Sequence, residues 1–290
     1  AGAFREIWIQ PAAGDAGGAL GAALAANHLH LGQPRPEARG RGDRMKGSYL
    51  GPAFSQGDIE QRLDAVGAKF QVMSEEQIIQ AAAGALADGK ALGWFQGRME
   101  FGPRALGGRS ILGDARSATM QSVLNLKVKY RESFRPFAPS VLREHVAEWF
   151  DLDCDSPYML LVADVVEGRR LEMTPEQQAL FGIEKLNVPR SDIPAVTHVD
   201  YSARIQTVHR DTNPRYYALI SAFDALTGCP VIVNTSFNVR GEPIVGSPED
   251  AFRCFMGTGI ERLAVGNCWL QKDDQDPGLK QNYETSFDLD

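Results

Sequence analysis

The chain is poor in cysteine. Its four residues, Cys154, Cys229, Cys254 and Cys268, are scattered through 290 positions and form no CxxC pair. That number and spacing fit buried or free thiols in a reducing compartment better than a disulfide framework. Long apolar runs are missing too. None approaches the ~20 residues that cross a bilayer, and no secretory leader is visible. No membrane partner is expected, and a cytoplasmic setting is. Positive charge is in deficit: 30 Lys and Arg face 37 Asp and Glu, a formal net charge of −7. Domains that coat nucleic acid are usually basic, so no nucleic-acid partner is expected, although a local basic cleft stays compatible with that balance. The five histidines build no readable metal set or triad; His28 and His30, two apart, have no obvious third ligand. The chain opens without Met, at AGAFREIW, as a fragment or processed chain would.

What is present is an α/β pattern, in a chain long enough to bury a full core as one large domain or two smaller ones. IWIQPAAGDAGGALGAALAANHL reads as a strand, a Gly-rich turn and an Ala-rich helix. Residues 31–58 are rich in Gly, Pro and charge, a linker or long loop. Helix signals follow. IEQRLDAVGA reads as a short helix, and Ser74 with Gln77 forms a capping box before a helix that Gly89 stops. SATMQSVLNLKVK has helical spacing, and REHVAEWF is a short helix. Asn213-Pro214 opens a helix ending at Gly228, and Ser247-Pro248 opens another. Strands are expected at ALGWFQG, FAPSVL, YMLLVADV (buried), RIQTVH, PVIVNTSF and a final RLAVGNCWLQK. Residues 167–200 are irregular, and the acidic tail 273–290 is expected to be poorly ordered.

Two stretches concentrate basic chemistry. GRMEFGPRALGGRSI carries Arg98, Arg104 and Arg109 among glycines, after an apolar strand. Glycine lets backbone approach a ligand, and the Arg fork fits phosphate or carboxylate oxygens. A tight turn with solvated arginines is the plainer alternative, but FGPRALGGRSI is more particular than Gly and Arg content explains. NLKVKYRESFRPFAP then holds Lys127, Lys129, Arg131 and Arg135. Lys127 suits a helix C-terminus; four cations so close in an acidic chain suit a polyanion such as a triphosphate. A third feature, VIVNTSFNVRGEP, ends an apolar strand in Asn234, Thr235, Ser236 and Asn238, which either bind a small ligand or form an Asx/ST turn. Arg204, alone at a strand start, reads as structural on its own. Asp15, beside glycines before a helix, reads as a cap ahead of a metal ligand.

GRMEFGPRALGGRSILGDAR, VKYRESFRPFAPSVL and PVIVNTSFNVRGEPIV together resemble the C-terminal half of the NodU/CmcH carbamoyltransferase family, and IQPAAGDAGGALGAAL resembles the end of that family's N-terminal actin-like domain. The resemblance spans about residues 6 to 271. It implies an α/β fold: a YrdC-like twisted mixed sheet with flanking helices over 59–272, preceded by a short actin-like remnant over 1–30. It implies formation of carbamoyl adenylate from carbamoyl phosphate and ATP with Mg²⁺, releasing pyrophosphate. It implies a hydroxylated small-molecule acceptor. By position, Arg104, Lys129 and Arg135 match the family's catalytic basic residues, Arg204, Asn234 and Ser236 its other adenylate-binding positions, and Asp15 its last metal ligand. The remaining ligands for that Fe²⁺ or similar metal, and the acceptor site, lie upstream in the family. This chain would therefore perform the adenylation half at most. A module that binds nucleotide without turnover and a threonylcarbamoyl-adenylate synthase are the alternatives, and a homo-oligomer remains open.

Overall fold

Helix starts are written in short polar side chains. Ser55, Ser74, Thr174, Asn213 and Ser247 each accept the backbone N–H three residues on, and each opens a helix. In a computed structural model, which describes residues 9–36, 43–280 and Tyr283, the helices are α1 Asp15–Ala25, α2 Gln56–Ala65, α3 Glu75–Ala87, α4 Met120–Lys127, α5 Val146–Trp149, α6 Pro175–Ala179, α7 Gly182–Leu186, α8 Pro214–Thr227 and α9 Pro248–Gly257. The strands are β1 Gln71–Val72, β2 Leu92–Phe95, β3 Arg109–Asp114, β4 Ala138–Leu142, β5 Leu161–Asp164, β6 Ser202–Val208, β7 Val231–Ser236, β8 Arg262–Val265 and β9 Cys268–Gln271. The strand expected at the very start falls largely on residues 1–8, outside the described residues.

The strands form one sheet in the order β1-β9-β8-β2-β3-β7-β4-β6-β5. The pairs β2/β8 and β4/β6 are parallel and the rest antiparallel, so the sheet is mixed. β2, β3, β4 and β7 are almost wholly buried, as their apolar runs require. Helices α3 and α8 pack on each other and against the central strands, and α2 and α9 pack together beside β8. The expected mixed sheet with flanking helices is borne out. No described helix is long and apolar enough to cross a membrane.

Three expectations change. RLAVGNCWLQK is a hairpin, β8 and β9 joined at Gly266-Asn267, because glycine and asparagine turn the chain in its middle. YMLLVADV is not a buried strand: β5 closes the sheet edge, alternates half-buried with exposed residues, and leaves Val162 62% exposed. The short edge strand β1 had no signal at all. Part of the Gly/Pro-rich stretch is also tied down. Residues 43–55 pair with the segment before β3 through Gly51 N–H to Met99 O, Met99 N–H to Pro52 O and Phe101 N–H to Ser48 O. By contrast, α1 buries none of its residues.

Asn213 carries two loads. Its Oδ1 caps α8 at Tyr216 N–H, and its Nδ2 donates to the Tyr49 hydroxyl at 2.9 Å. Asn213→Ala is expected to lower unfolding free energy by about 1–2 kcal/mol, read as a reduced urea midpoint with unchanged slope.

Candidate active site

The loop between β2 and β3 is folded by charge. Glu100 is buried, and its Oε1 accepts N–H groups from Leu106 at 2.6 Å, Gly108 at 2.7 Å and Arg109 at 3.4 Å. Arg109 is fully buried. Its guanidinium donates to the carbonyls of Gln96, Gly97, Gly108 and Pro52 and lies 3.5 Å above the Phe95 ring. Burial pulls its pKa down to about 10, while Glu100 opposes the shift. Gly107, at φ +104, is forced: a Cβ there would lie 2.4 Å from the Tyr216 ring. Arg98 donates to Leu50 O. Of the three arginines read as ligand-facing, two therefore hold the loop, and Arg104 alone lines the cleft.

A buried polar network forms the back wall. Asn234 on β7 directs Nδ2 to Ala105 O at 3.0 Å and Gln206 Oε1 at 2.8 Å. Ser140 on β4 accepts from the Tyr216 hydroxyl and donates to Gln206 Oε1. Gln206 on β6 donates to Leu106 O, which also takes the Tyr49 hydroxyl. Side chains from β6 and β7, tied together by Ser140 of β4, thus grip the backbone just after Arg104.

The cleft has two adjoining hollows. The smaller, about 160 Å³, is lined by Arg104, Arg131, Met159, Arg204, Asn234 and Ser236 among others. The larger, about 430 Å³, is lined by Lys129, Arg131, Arg135, Ser236 and the 238–243 turn. All six residues predicted to bind or act around the phosphates lie in one or the other. Arg131 and Ser236 belong to both. Arg131, one of the four cations noted in the sequence, was not singled out; no pattern marks it over its neighbours. Its Nε donates to Asn125 Oδ1 at 2.7 Å, and its pKa falls to about 10 through burial and the nearby Arg135. Met159, at φ +55, reaches the cleft without any sequence signal. Lys127 is exposed in the last turn of α4, as its helix-end reading requires.

Charge in the cleft is one-sided. The Nε atoms of Arg104 and Arg204 are buried with no hydrogen-bond partner, and neither side chain joins an ion pair among the described residues. Burial, then the Arg104 charge, lowers the Arg204 pKa. Lys129 is 3% exposed; its Nζ meets Ser236 O at 2.5 Å, Asn238 O at 2.8 Å and Asn238 Oδ1 at 2.8 Å. Burial first, then Arg131, brings its pKa down to about 7. Arg135 is more exposed and pairs with Glu132 at 3.1 Å. Buried donors without acceptors beside like charges make an anion site.

Asp15 lies elsewhere. It is the exposed first residue of α1 behind Gly14, and it makes no side-chain cap. No group of three or more His, Cys, Asp or Glu among the described residues could hold a metal. The described residues thus do not form the ligand set the resemblance implies, and no step is derived through that metal.

Fold and site together define an α/β domain with a cationic cleft. Residues 83–272 match the carbamoyltransferase C-terminus family model, and the chain belongs to that family. It is 61% identical to an uncharacterised protein of Synechocystis sp., over 100% of this chain and 47% of that one. It is 43% identical to nodulation protein NolNO of Sinorhizobium fredii, over 95% of this chain and 37% of that protein. It is 32% identical to a 3'-hydroxymethylcephem-O-carbamoyltransferase of Amycolatopsis lactamdurans, over 93% and 45%. The chain spans about half the length, or less, of these curated relatives. The family read from the three motif strings is borne out.

Two outcomes follow from the geometry. Lys129, with its pKa near 7, is an ammonium below that pH and neutral above it, so affinity for inorganic pyrophosphate should fall as pH rises from 6 to 8.5. Calorimetric titration reads this, and Lys129→Gln should flatten the dependence. Arg109→Met strands four carbonyls and the Glu100 charge, and should lower stability by roughly 3–5 kcal/mol; a wild-type denaturation midpoint would sink the structural assignment of Arg109.

Proposed function

We propose that this chain carries out the adenylation half of a carbamoyltransferase. Carbamoyl phosphate and ATP occupy the adjoining hollows. Water cleaves carbamoyl phosphate to carbamate and phosphate. The carbamate oxygen attacks the α-phosphorus of ATP, the bond to the bridging oxygen breaks, and pyrophosphate leaves with carbamoyl adenylate formed. In the longer protein the carbamoyl group passes to the hydroxyl of a small acceptor, releasing AMP. The observation that carries this reading is the pair Arg104 and Arg204, each with a buried Nε that meets no acceptor, neither in an ion pair among the described residues, and both lining one small hollow.

The chemistry asks little covalent work of the protein. It needs reactants aligned and charge neutralised on equatorial oxygens and leaving group. Arg104 and Arg204 suit the acyl phosphate or adenylate end. Lys129, Arg131 and Arg135 suit the leaving pyrophosphate across the larger hollow. Asn234 and Ser236 hold the wall between them. Of the carboxylates at the rim, Glu132 pairs with Arg135 and Arg240, and Glu242 binds the Val239 N–H and the Tyr283 hydroxyl. Among the described residues there is thus no spare carboxylate cluster there, and Mg²⁺ would enter on the phosphate oxygens of ATP as part of the substrate.

Incubation with Mg-ATP and carbamoyl phosphate should release pyrophosphate and give carbamoyl adenylate. Arg104→Ala and Lys129→Ala should each lose about 2–4 kcal/mol of transition-state stabilisation, roughly a 30- to 1,000-fold slower release. Full release in both variants would place the site elsewhere. ATP bound without product would favour a binding module. Product only with bicarbonate and threonine would favour the threonylcarbamoyl branch.

A further inference from the structure

Tyr283 reaches the rim of the cleft. Tyr283 is 3% exposed and belongs to the main core. Its ring sits on Gly257, the last residue of α9, where a Cβ would come within 2.4 Å of the ring. The seat exists only because residue 257 is glycine. The hydroxyl donates to Glu242 Oε1 at 2.5 Å. Burial and that bond raise the phenol's pKa, so it stays a neutral donor at ordinary pH.

Glu242 organises the turn after β7. Its Oε2 accepts the Val239 N–H at 2.9 Å, and its carbonyl accepts Asn238 Nδ2 at 2.6 Å. Asn238 in turn presents both its carbonyl and its Oδ1 to Lys129 Nζ at 2.8 Å. The Arg240 N–H returns to Lys129 O at 3.3 Å. An unbroken chain of short bonds therefore runs from the Tyr283 hydroxyl to the Lys129 ammonium.

We propose that Tyr283 is a positioning residue of the cationic cleft: through Glu242 and Asn238 it fixes the 238–242 turn and, with it, the place of the Lys129 ammonium. This rests on the reading of the cleft as a polyphosphate site. The rival is packing alone, in which the ring matters and the hydroxyl does not. Geometry favours the hydroxyl. The Glu242 carboxylate ties the turn at the Val239 N–H, and that hold loosens when the carboxylate loses the Tyr283 donor, because a hydrogen bond to a charged group stabilises more than a neutral one.

Tyr283→Phe keeps the ring on Gly257 and removes the hydroxyl alone. In the 290-residue chain, hydrogen exchange read by mass spectrometry and calorimetric binding of inorganic pyrophosphate form the test. The expected result is about tenfold faster exchange over residues 238–242 and about tenfold weaker pyrophosphate binding, with a small drop in the unfolding midpoint and exchange in α3 and α8 changed no more than that drop requires. Tyr283→Ala should match those changes and lower the midpoint further. Faster exchange with unchanged affinity overturns the role in the site. Unchanged exchange with weaker binding overturns the route through the turn, and no change in either overturns both. A wild-type chain that binds no pyrophosphate removes the site and this proposal with it. Neither readout needs turnover. A chain that binds pyrophosphate but releases none from ATP sinks the proposed activity and leaves the positioning test decisive.

Discussion

One carboxylate oxygen, Glu100 Oε1, gathers the N–H groups of Leu106, Gly108 and Arg109 inside the protein. A buried charge costs several kcal/mol unless its lone pairs are filled. Here backbone amides fill them, and the Arg109 guanidinium nearby supplies the opposite charge. The same bonds turn Leu106 so that its carbonyl meets Gln206 Nε2 and the Tyr49 hydroxyl. The loop is thereby fixed at both faces, and Arg104 has little freedom to face anywhere but the cleft. Every distance in the smaller hollow depends on that arrangement.

The second constraint is electrostatic. The protein is acidic as a whole, yet it holds Arg104, Lys129, Arg131 and Arg204 together. Elsewhere arginines find acids: Arg116 pairs with Asp114, Arg143 with Asp155, Arg62 with Glu249. In the cleft, burial and mutual repulsion lower the pKa of Lys129, Arg131 and Arg204. Such a cluster opposes folding and is offset when an anion arrives, so the same terms that strain the empty cleft favour its ligand. Surface pairs such as Arg135 with Glu132 stabilise little and leave Arg135 free to change partner.

Much of this was legible because it is local. The caps at Ser74, Asn213 and Ser247 state helix starts within four residues, and VIVNTSF states a strand and its polar end. Five of the six candidate site residues came from motif strings and Arg204 from the resemblance alone, and the sheet order brings them together: β3, β7, β4 and β6 are neighbours, although β3 and β4 stand far from β7 in the chain. What stayed hidden depends on distant partners. Nothing in LNLKVKYRE distinguishes Arg131 from its neighbours, because its place between two hollows is set by the turn after β7. β5 reads as buried from composition, but an edge is a property of the sheet. The hairpin β8–β9 was legible in the two-residue turn Gly266-Asn267, which the reading of RLAVGNCWLQK as one strand passed over. The anchoring of residues 43–55 was hidden because Gly and Pro mark irregular backbone, ordered or not.

The Gly-Arg string shows why residue types alone assign roles poorly. A ligand loop and a tightly folded turn both need glycine for close approach and arginine for its fork. The acceptors decide between them. Arg109 spends both terminal nitrogens of its fork on main-chain carbonyls, with only its Nε unmet; Arg104 and Arg204 also carry unmet buried Nε donors, but they line the cleft. Lys129 falls between these cases. An ammonium has three N–H donors, and Nζ already has four oxygens within 3.3 Å from Ser236 and Asn238. It has no donor to spare while the turn keeps its shape. Its effect on a bound polyphosphate is then the short-range field of a charge held in place, and a direct bond requires Asn238 or Ser236 to give way. The placing of that charge belongs to the turn as much as to the lysine.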